Sequence, residues 1–407
     1  MAIAAKQLKS LNLSSTTENI DYTLQDIALL LKDIRECTLC GLTQVIDVIQ
    51  SYDYEEHEVI QGRSIDYLIP ETNTGILANE ESAVLKGVKV EVDTSQVDIN
   101  TPGEYDLVLK YTYKEGGAVC LIRDKIKHIT VLPKDEYDNT EYLTFISQGD
   151  FSLKTKNGSK NWDGKLEYST DKIIWTVWTG EEINSVDKKL YLRGSGNTKF
   201  ASNYSQSFVL LGESPIECRG NLKAITQEKA DFDYLFYESG LLSRAPEIPI
   251  DDSGKCLATG FYQAFYGCKN LKHAFTWLPS YDNERYMYYG TFSNCINLER
   301  VNFSINEDAA GSIAESKYQN MFYNCLSLIQ APYIKLTRNG TNSLNGAFKY
   351  CKSLAKFPCL ISSASSNSMV EMLSGCTNLK YYYYTDSPAS YAITKNDKTK
   401  GIQLYYK

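Results

Sequence analysis

The chain has 407 residues, more than one hydrophobic core usually needs, so two to four domains are expected. Hydrophobic residues make up 43% and charged residues 23%, which is ordinary globular usage, while 31 tyrosines exceed what a core requires. A net charge of −8 without a long basic run argues against a nucleic-acid partner, and no apolar stretch is long enough for a membrane span.

Residues 1–57 read as an N-terminal arm and helical anchor. A polar beginning rich in Ser, Thr and Asn gives way to "YTLQDIALLLKDIRECTL", where Leu24, Ile27, Leu31 and Ile34 repeat with 3-4-3 spacing. That is one apolar stripe of an amphipathic helix or a two-heptad coiled-coil seam, suited to anchoring or oligomerisation. The start lacks the apolar core and small-residue cleavage site of an export signal. Eleven cysteines, an odd count, are therefore expected as reduced thiols and not as a disulfide framework.

From residue 58 to 133 the texture is alternating and β-branched, as in "GVKVEVDTSQVDINTPGEYDLVLKYTYKEGGAVCLIRDKIKHITVLP", which predicts a β-sandwich. Pro102, Gly103 and Tyr105 form a Pro-Gly-x-Tyr turn leading into a long strand. In this the segment resembles bacterial immunoglobulin-like domains. Residues 134–215, with "LEYSTDKIIWTVWTG" and "KKLYLRGSGNTKF", predict a second small sandwich. Their wording is similar to a module that often precedes leucine-rich repeats in proteins of gut Bacteroidetes and their phages.

Residues 216–407 repeat internally. The frame Phe-x-x-Cys-x-x-Leu recurs as Phe265-Cys268-Leu271, Phe292-Cys295-Leu298, Phe322-Cys325-Leu328 and Phe348-Cys351-Leu354. A fifth copy, Cys376-Leu379, has Leu373 for Phe, and an earlier one at Phe236 has Ser239 in the cysteine slot. Cysteine-to-cysteine steps are 27, 30, 26 and 25 residues. Burying one Phe or Leu yields about 1.5–3 kcal/mol, whereas ordering backbone costs about 1–2 kcal/mol per residue. No unit of this size stands alone, so neighbours must stack and share their faces. The segment resembles the BspA-type leucine-rich repeats, which share this box. The resemblance implies a buried structural cysteine and a strand added by each turn to a curved parallel sheet. The expected fold is multi-domain: an N-terminal α-helical anchor, two immunoglobulin-like β-sandwiches and a C-terminal α/β leucine-rich-repeat solenoid.

Chemistry is hard to place on this chain. A thiol nucleophile needs an activating base, and the chain's histidines, His57, His128 and His273, sit in no nucleophile context. "CTLC" at 37–40 has no second half for zinc. Walker, HExxH, GxSxG and EF-hand patterns are missing. No catalytic residue, metal or cofactor is expected. Two features suit binding. Five residues past each cysteine slot lie Arg244, His273, Arg300, Gln330, Lys356 and Tyr381, a mostly basic column along stacked strands that is either a solvated edge or a contact for an acidic partner or sugar hydroxyls. The tyrosines of "YDNERYMYYG", among them Tyr286 and Tyr288, and of "YYYY", among them Tyr382 and Tyr384, suit protein or glycan contacts and equally cross-strand stacking on the last turn.

Domains of this kind without catalysis point to adhesion or scaffolding. Similar immunoglobulin-like and BspA-like modules occur on virion proteins of tailed and crAss-like phages, which assemble in the host cytoplasm without an export signal. The resemblance implies a head fibre or capsid decoration protein: anchored to capsid or other virion proteins by its N-terminus, associated with itself as a homotrimer, and contacting a host surface protein or glycan. A bacterial surface adhesin and a phage tail fibre are the alternatives.

Overall fold

The computed structural model describes residues 56–65, 88–115, 118–251, 256–276, 278, 285–303, 305–307, 314–329, 331–332, 334–336, 341–361, 369–379, 381–385 and 402–406. Contacts divide the chain into two units, one of residues 1–50, 71–91 and 109–125, the other of residues 51–70, 92–108 and 126–407. In the first unit the described residues are strand backbone. The site described below lies wholly within the second.

Strands β1 (Glu56–Ile60), β2 (Val88–Asp93), β3 (Gly103–Glu115) and β4 (Ala118–Leu132) form a sheet in the order β1-β4-β3-β2. Alternation sends every second side chain to each face. In the second unit Leu107, Ile129, Val131 and Val59 pack into a small core, while Glu104, Asp106, His128 and Thr130 keep to the opposite face.

Eight strands follow: β5 (Leu143–Ser147), β6 (Phe151–Thr155), β7 (Lys165–Ser169), β8 (Thr176–Val177), β9 (Ile183–Asn184), β10 (Lys189–Ser195), β11 (Phe208–Gly212) and β12 (Ile216–Arg219). Sheet β11-β6-β9 and a larger sheet built on β12-β5-β10-β7-β8 enclose Trp162 and Trp178, whose rings stack at 4.9 Å, and Phe208 set edge-on to both. The larger sheet does not stop at β12. It gains β14 (Leu242–Arg244) in parallel, while β13 (Ala230–Asp231) pairs in parallel with β15 (Ala258–Gly260). One apolar core runs without a break from Leu143 to Leu379. The last five strands, β16 (Ile305–Glu307), β17 (Ile334–Leu336), β18 (Lys356–Ile361), β19 (Tyr381–Thr385) and β20 (Ile402–Tyr406), stack in parallel in chain order.

Helix among the described residues is limited to the four-residue α1 (Lys134–Tyr137) and α2 (Lys223–Thr226) and a 3-10 turn at Tyr204–Gln206. This overturns the expected fold class. The molecule is mostly β-strand in several sheets, and the repeats do not build an α/β solenoid. No helical anchor is found among the described residues, and Leu24, Ile27, Leu31 and Ile34 lie outside them.

The reason lies in where the backbone of each box sends its hydrogen bonds. An α-helix closes every N–H on the carbonyl four residues back. Here Leu235, Tyr237 and Ser239 bond to the carbonyl three residues back, and the alternate residues Phe232, Tyr234, Phe236 and Glu238 donate to Gly260, Tyr262, Ala264 and Tyr266 of the next coil. The pattern repeats in later coils: the N–H groups of Phe265, Phe292, Phe322 and Phe348 reach Thr291, Met321, Ala347 and Met372 at 2.8–3.0 Å. A helix would leave nothing to bond the neighbouring coil. The residue before each cysteine slot also has left-handed φ: Glu238 58°, Gly267 71°, Asn294 62°, Asn324 57°, Tyr350 65° and Gly375 79°. A right-handed helix cannot pass through such residues.

Candidate functional site

The box residues are buried in the core. Phe236, Phe265, Phe292, Phe322 and Phe348 stack ring on ring, with centroids 5.2–5.8 Å apart and planes within 16°. Leu271, Leu298, Leu328, Leu354 and Leu379 are buried beside them. Cys268, Cys295, Cys325, Cys351 and Cys376 are buried free thiols. Each donates to a phenylalanine carbonyl of the preceding coil, Cys325 to Phe292 at 3.1 Å for example. Burial raises the Cys325 and Cys351 thiols well above the ordinary range, the opposite of what a nucleophile requires.

The basic column has a different surrounding. Arg244, His273 and Arg300 stand in register through parallel bridges between successive coils. Arg244, however, is no surface residue: at 5% exposure it grips both oxygens of Glu58 on β1 at 2.9 and 3.0 Å. Nδ1 of His273 lies 3.5 Å from the same carboxylate, and Asn302 donates to it at 3.4 Å. Burial alone would raise the Glu58 carboxyl, but the His273 hydrogen bond and the charge and hydrogen bond of Arg244 outweigh it and hold the group at about 2. A second buried network lies nearby. Arg63 donates to Glu247 at 3.2 Å and to Thr276 at 3.1 Å and pairs with Asp138 at 3.1 Å, while Glu247 accepts the Thr276 N–H and hydroxyl. The two networks tie the β1 segment to the coils.

Above Glu58 the two sides leave an open cleft of about 970 Å³. From the sheet come His57, Glu104, Tyr105, Asp106, His128 and Thr130; from the coils come Lys272, His273, Glu299, Arg300 and Asn302. Lys272 and His273 sit four and five places past Cys268, and Glu299 and Arg300 four and five past Cys295, so two equivalent steps of the repeat floor one wall. All three histidines of the chain are here. His57 is buried, whereas His128 is exposed and pairs with Asp106 at 2.7 Å. Among the described residues no hydrogen bond or ion pair engages the side chains of Lys272, Glu104 or Glu299.

The remaining candidates fall apart. Tyr286 is 39% exposed. Tyr288 is fully buried, stacked between Phe261 and Tyr318, because it occupies the inward position four residues before Phe292. That removes it as a contact residue. Gln330 and the side chains of Lys356, Tyr382 and Tyr384 lie outside the described residues, although Lys356 is in register with Tyr381. Sequence reasoning missed Glu58, Glu104, Asp106, Lys272 and Glu299. The available signal was modest: the position four past the cysteine slot holds Lys272 and Glu299, polar like its neighbour. No described helix is long and apolar enough to cross a membrane, and among the described residues no group of three or more His, Cys, Asp or Glu is arranged to hold a metal ion.

Comparison of the chain with protein-family models, curated proteins and solved structures gave no match.

Proposed function

We propose that this is a non-enzymatic structural and adhesion protein of a phage particle, a head fibre or capsid decoration protein held by its N-terminal region. In this reading the β-domains and coils face outward and serve adhesion to a host surface or its glycans. The observation that supports it most is the use made of the repeated thiols. Each is sealed from water and bonded to the neighbouring coil's carbonyl, so the coils are built for stacking and not for reaction. What they offer a partner is a polar cleft and exposed edges. The sequence resemblance to virion modules supplies the setting, and a homotrimer is the assembly that goes with it.

Mass spectrometry of gradient-purified phage particles is the test. Peptides of this chain should appear in stoichiometric amount alongside the major capsid protein. Their absence from particles, or their recovery in a cell-envelope fraction as for a bacterial adhesin, overturns the reading. Light scattering should return three times the chain mass, and a monomer removes the trimer.

A further inference from the structure

We infer that the cleft over Glu58 is a binding site for a neutral, hydroxyl-rich oligosaccharide. The inference rests on the adhesion reading above and names its ligand class and residues.

The lining decides the class. Its residues are polar or charged apart from Tyr105 and Ile129, and both of those are taken up by the small core of the sheet, so a lipid tail or an apolar peptide would gain little there. Four carboxylates, Glu58, Glu104, Asp106 and Glu299, face Lys272 and Arg300, and Arg244 lies behind Glu58. Glu58 is consumed by Arg244 and His273, and Asp106 by His128. Glu104 and Glu299 remain as acceptors without a described partner, which disfavours phosphate, sulfate or a nucleic-acid backbone. A strongly cationic ligand would meet Lys272 and Arg300. Sugar hydroxyls suit both signs, because each donates to a carboxylate and accepts from an ammonium, amide or imidazole. Gln96, Thr130 and Asn302 add further groups of that kind. A volume of about 970 Å³ has room for several rings. Glu58, locked by Arg244, His273 and Asn302, fixes the floor before any ligand arrives, which limits the entropy cost of binding.

The test uses the full chain on an array of neutral oligosaccharides built from glucose, galactose, mannose and N-acetylglucosamine, printed beside their sialylated and sulfated counterparts. Binding to at least one neutral member is expected, followed by titration calorimetry with that sugar. Lys272→Ala and Glu299→Gln, both exposed positions, should leave the melting temperature unchanged and weaken binding at least tenfold each. No binding to any neutral member, binding confined to the acidic members, or binding that both variants retain would each overturn the inference. The particle test fails or succeeds separately. A chain found in particles that binds no neutral sugar refutes the cleft and not the virion reading, and a sugar-binding chain missing from particles does the reverse.

Discussion

The repeated coils and the charged junction around Glu58 and Arg63 both hold distant segments together, but by opposite means. In the coils each position repeats the same contact one coil away: phenylalanine on phenylalanine, thiol to phenylalanine carbonyl. The stabilisation is apolar, many times repeated, and indifferent to which copy is considered. In the junction every contact is singular. Glu58 meets Arg244 across 186 residues, and Arg63 meets Thr276 across 213. Such contacts rest on charges taken partly out of water, where a partner's loss costs more than the pair contributes. Repetition therefore confines damage to the coils that touch it, whereas the junction should fail as a unit.

The sharpest way to break that contrast is within the coils. Phe292→Ala removes the middle ring between Phe265 and Phe322 and leaves a cavity that flanking coils cannot fill. A loss of about 3–5 kcal/mol is expected in urea unfolding, and Phe265→Ala should add to it only partly, since the two rings touch. Equal, independent losses would show that the column is not cooperative. In the junction, Arg63→Met strips Glu247 of its cation while the carboxylate stays buried. About 2–3 kcal/mol should be lost at neutral pH, less than for a fully enclosed pair because Arg63 is 21% exposed. Burial already raises the Glu247 carboxyl against the pull of Arg63, so without Arg63 it should rise further. A group whose folded value is raised contributes most below its unfolded value and least above its folded one, so the variant's deficit should grow as pH rises. A deficit flat across pH 4 to 8 would mean that water has entered and solvated Glu247.

How far the sequence foretold this follows from the same contrast. The Phe and Cys columns were legible because a position facing its own copies must recur in phase, and counting five from Cys268 or Cys295 finds His273 and Arg300 without a structure. The absence of helix was also written, less loudly. Gly267, Asn294, Asn324 and Gly375 fill the slot before cysteine with the residue types that accept left-handed φ, and that slot lies inside the box, where it interrupts any helix through it. The cleft was not legible. Residues 57–58, 104–106, 128–130, 272–273, 299–300 and 302 meet through the folding of one sheet against two coils, and no period or motif relates them. Arg244 shows the limit from the other side: the repeat gives its register, and only the meeting with Glu58 decides that it is buried.

A smaller effect sharpens the comparison inside the first coils, where two carboxylates depart from the apolar rule. Asp231 accepts the Asp233 N–H at 2.8 Å, and Asp233 accepts the Tyr262 N–H at 2.6 Å. Burial first, and then the charge of Asp231, push Asp233 up to about 8. An aspartate unfolds to an ordinary value near 3.9, so the stability this group gives is complete below about pH 4 and lost as pH rises through about 8. Asp231→Asn keeps the oxygen that accepts the Asp233 N–H and removes the repelling charge. The variant's melting temperature should fall less between pH 5 and 8 than that of the parent, by the equivalent of about 1 kcal/mol. Identical pH profiles would place the proton elsewhere.

A last pair of variants separates backbone handedness from mere smallness in the box. Gly267 precedes Cys268 with φ at 71°, and a β-carbon there would sit 3.1 Å from Cγ of Glu238 in the preceding coil. Gly240, just past the equivalent Ser239, has no left-handed φ and nothing within 4 Å of an added β-carbon. If glycines serve only to keep coils close, both alanine variants should cost alike. If the turn needs left-handed backbone before the thiol, Gly267→Ala should lose about 1–2 kcal/mol, while Gly240→Ala should change little or gain up to about 1 kcal/mol by stiffening the unfolded chain. Thermal unfolding of the two variants side by side decides it. The outcome bears on every coil, because Asn294, Asn324 and Tyr350 occupy the slot of Gly267, and a coil that accepts asparagine or tyrosine there must recover the strain from the phenylalanine column it helps to align.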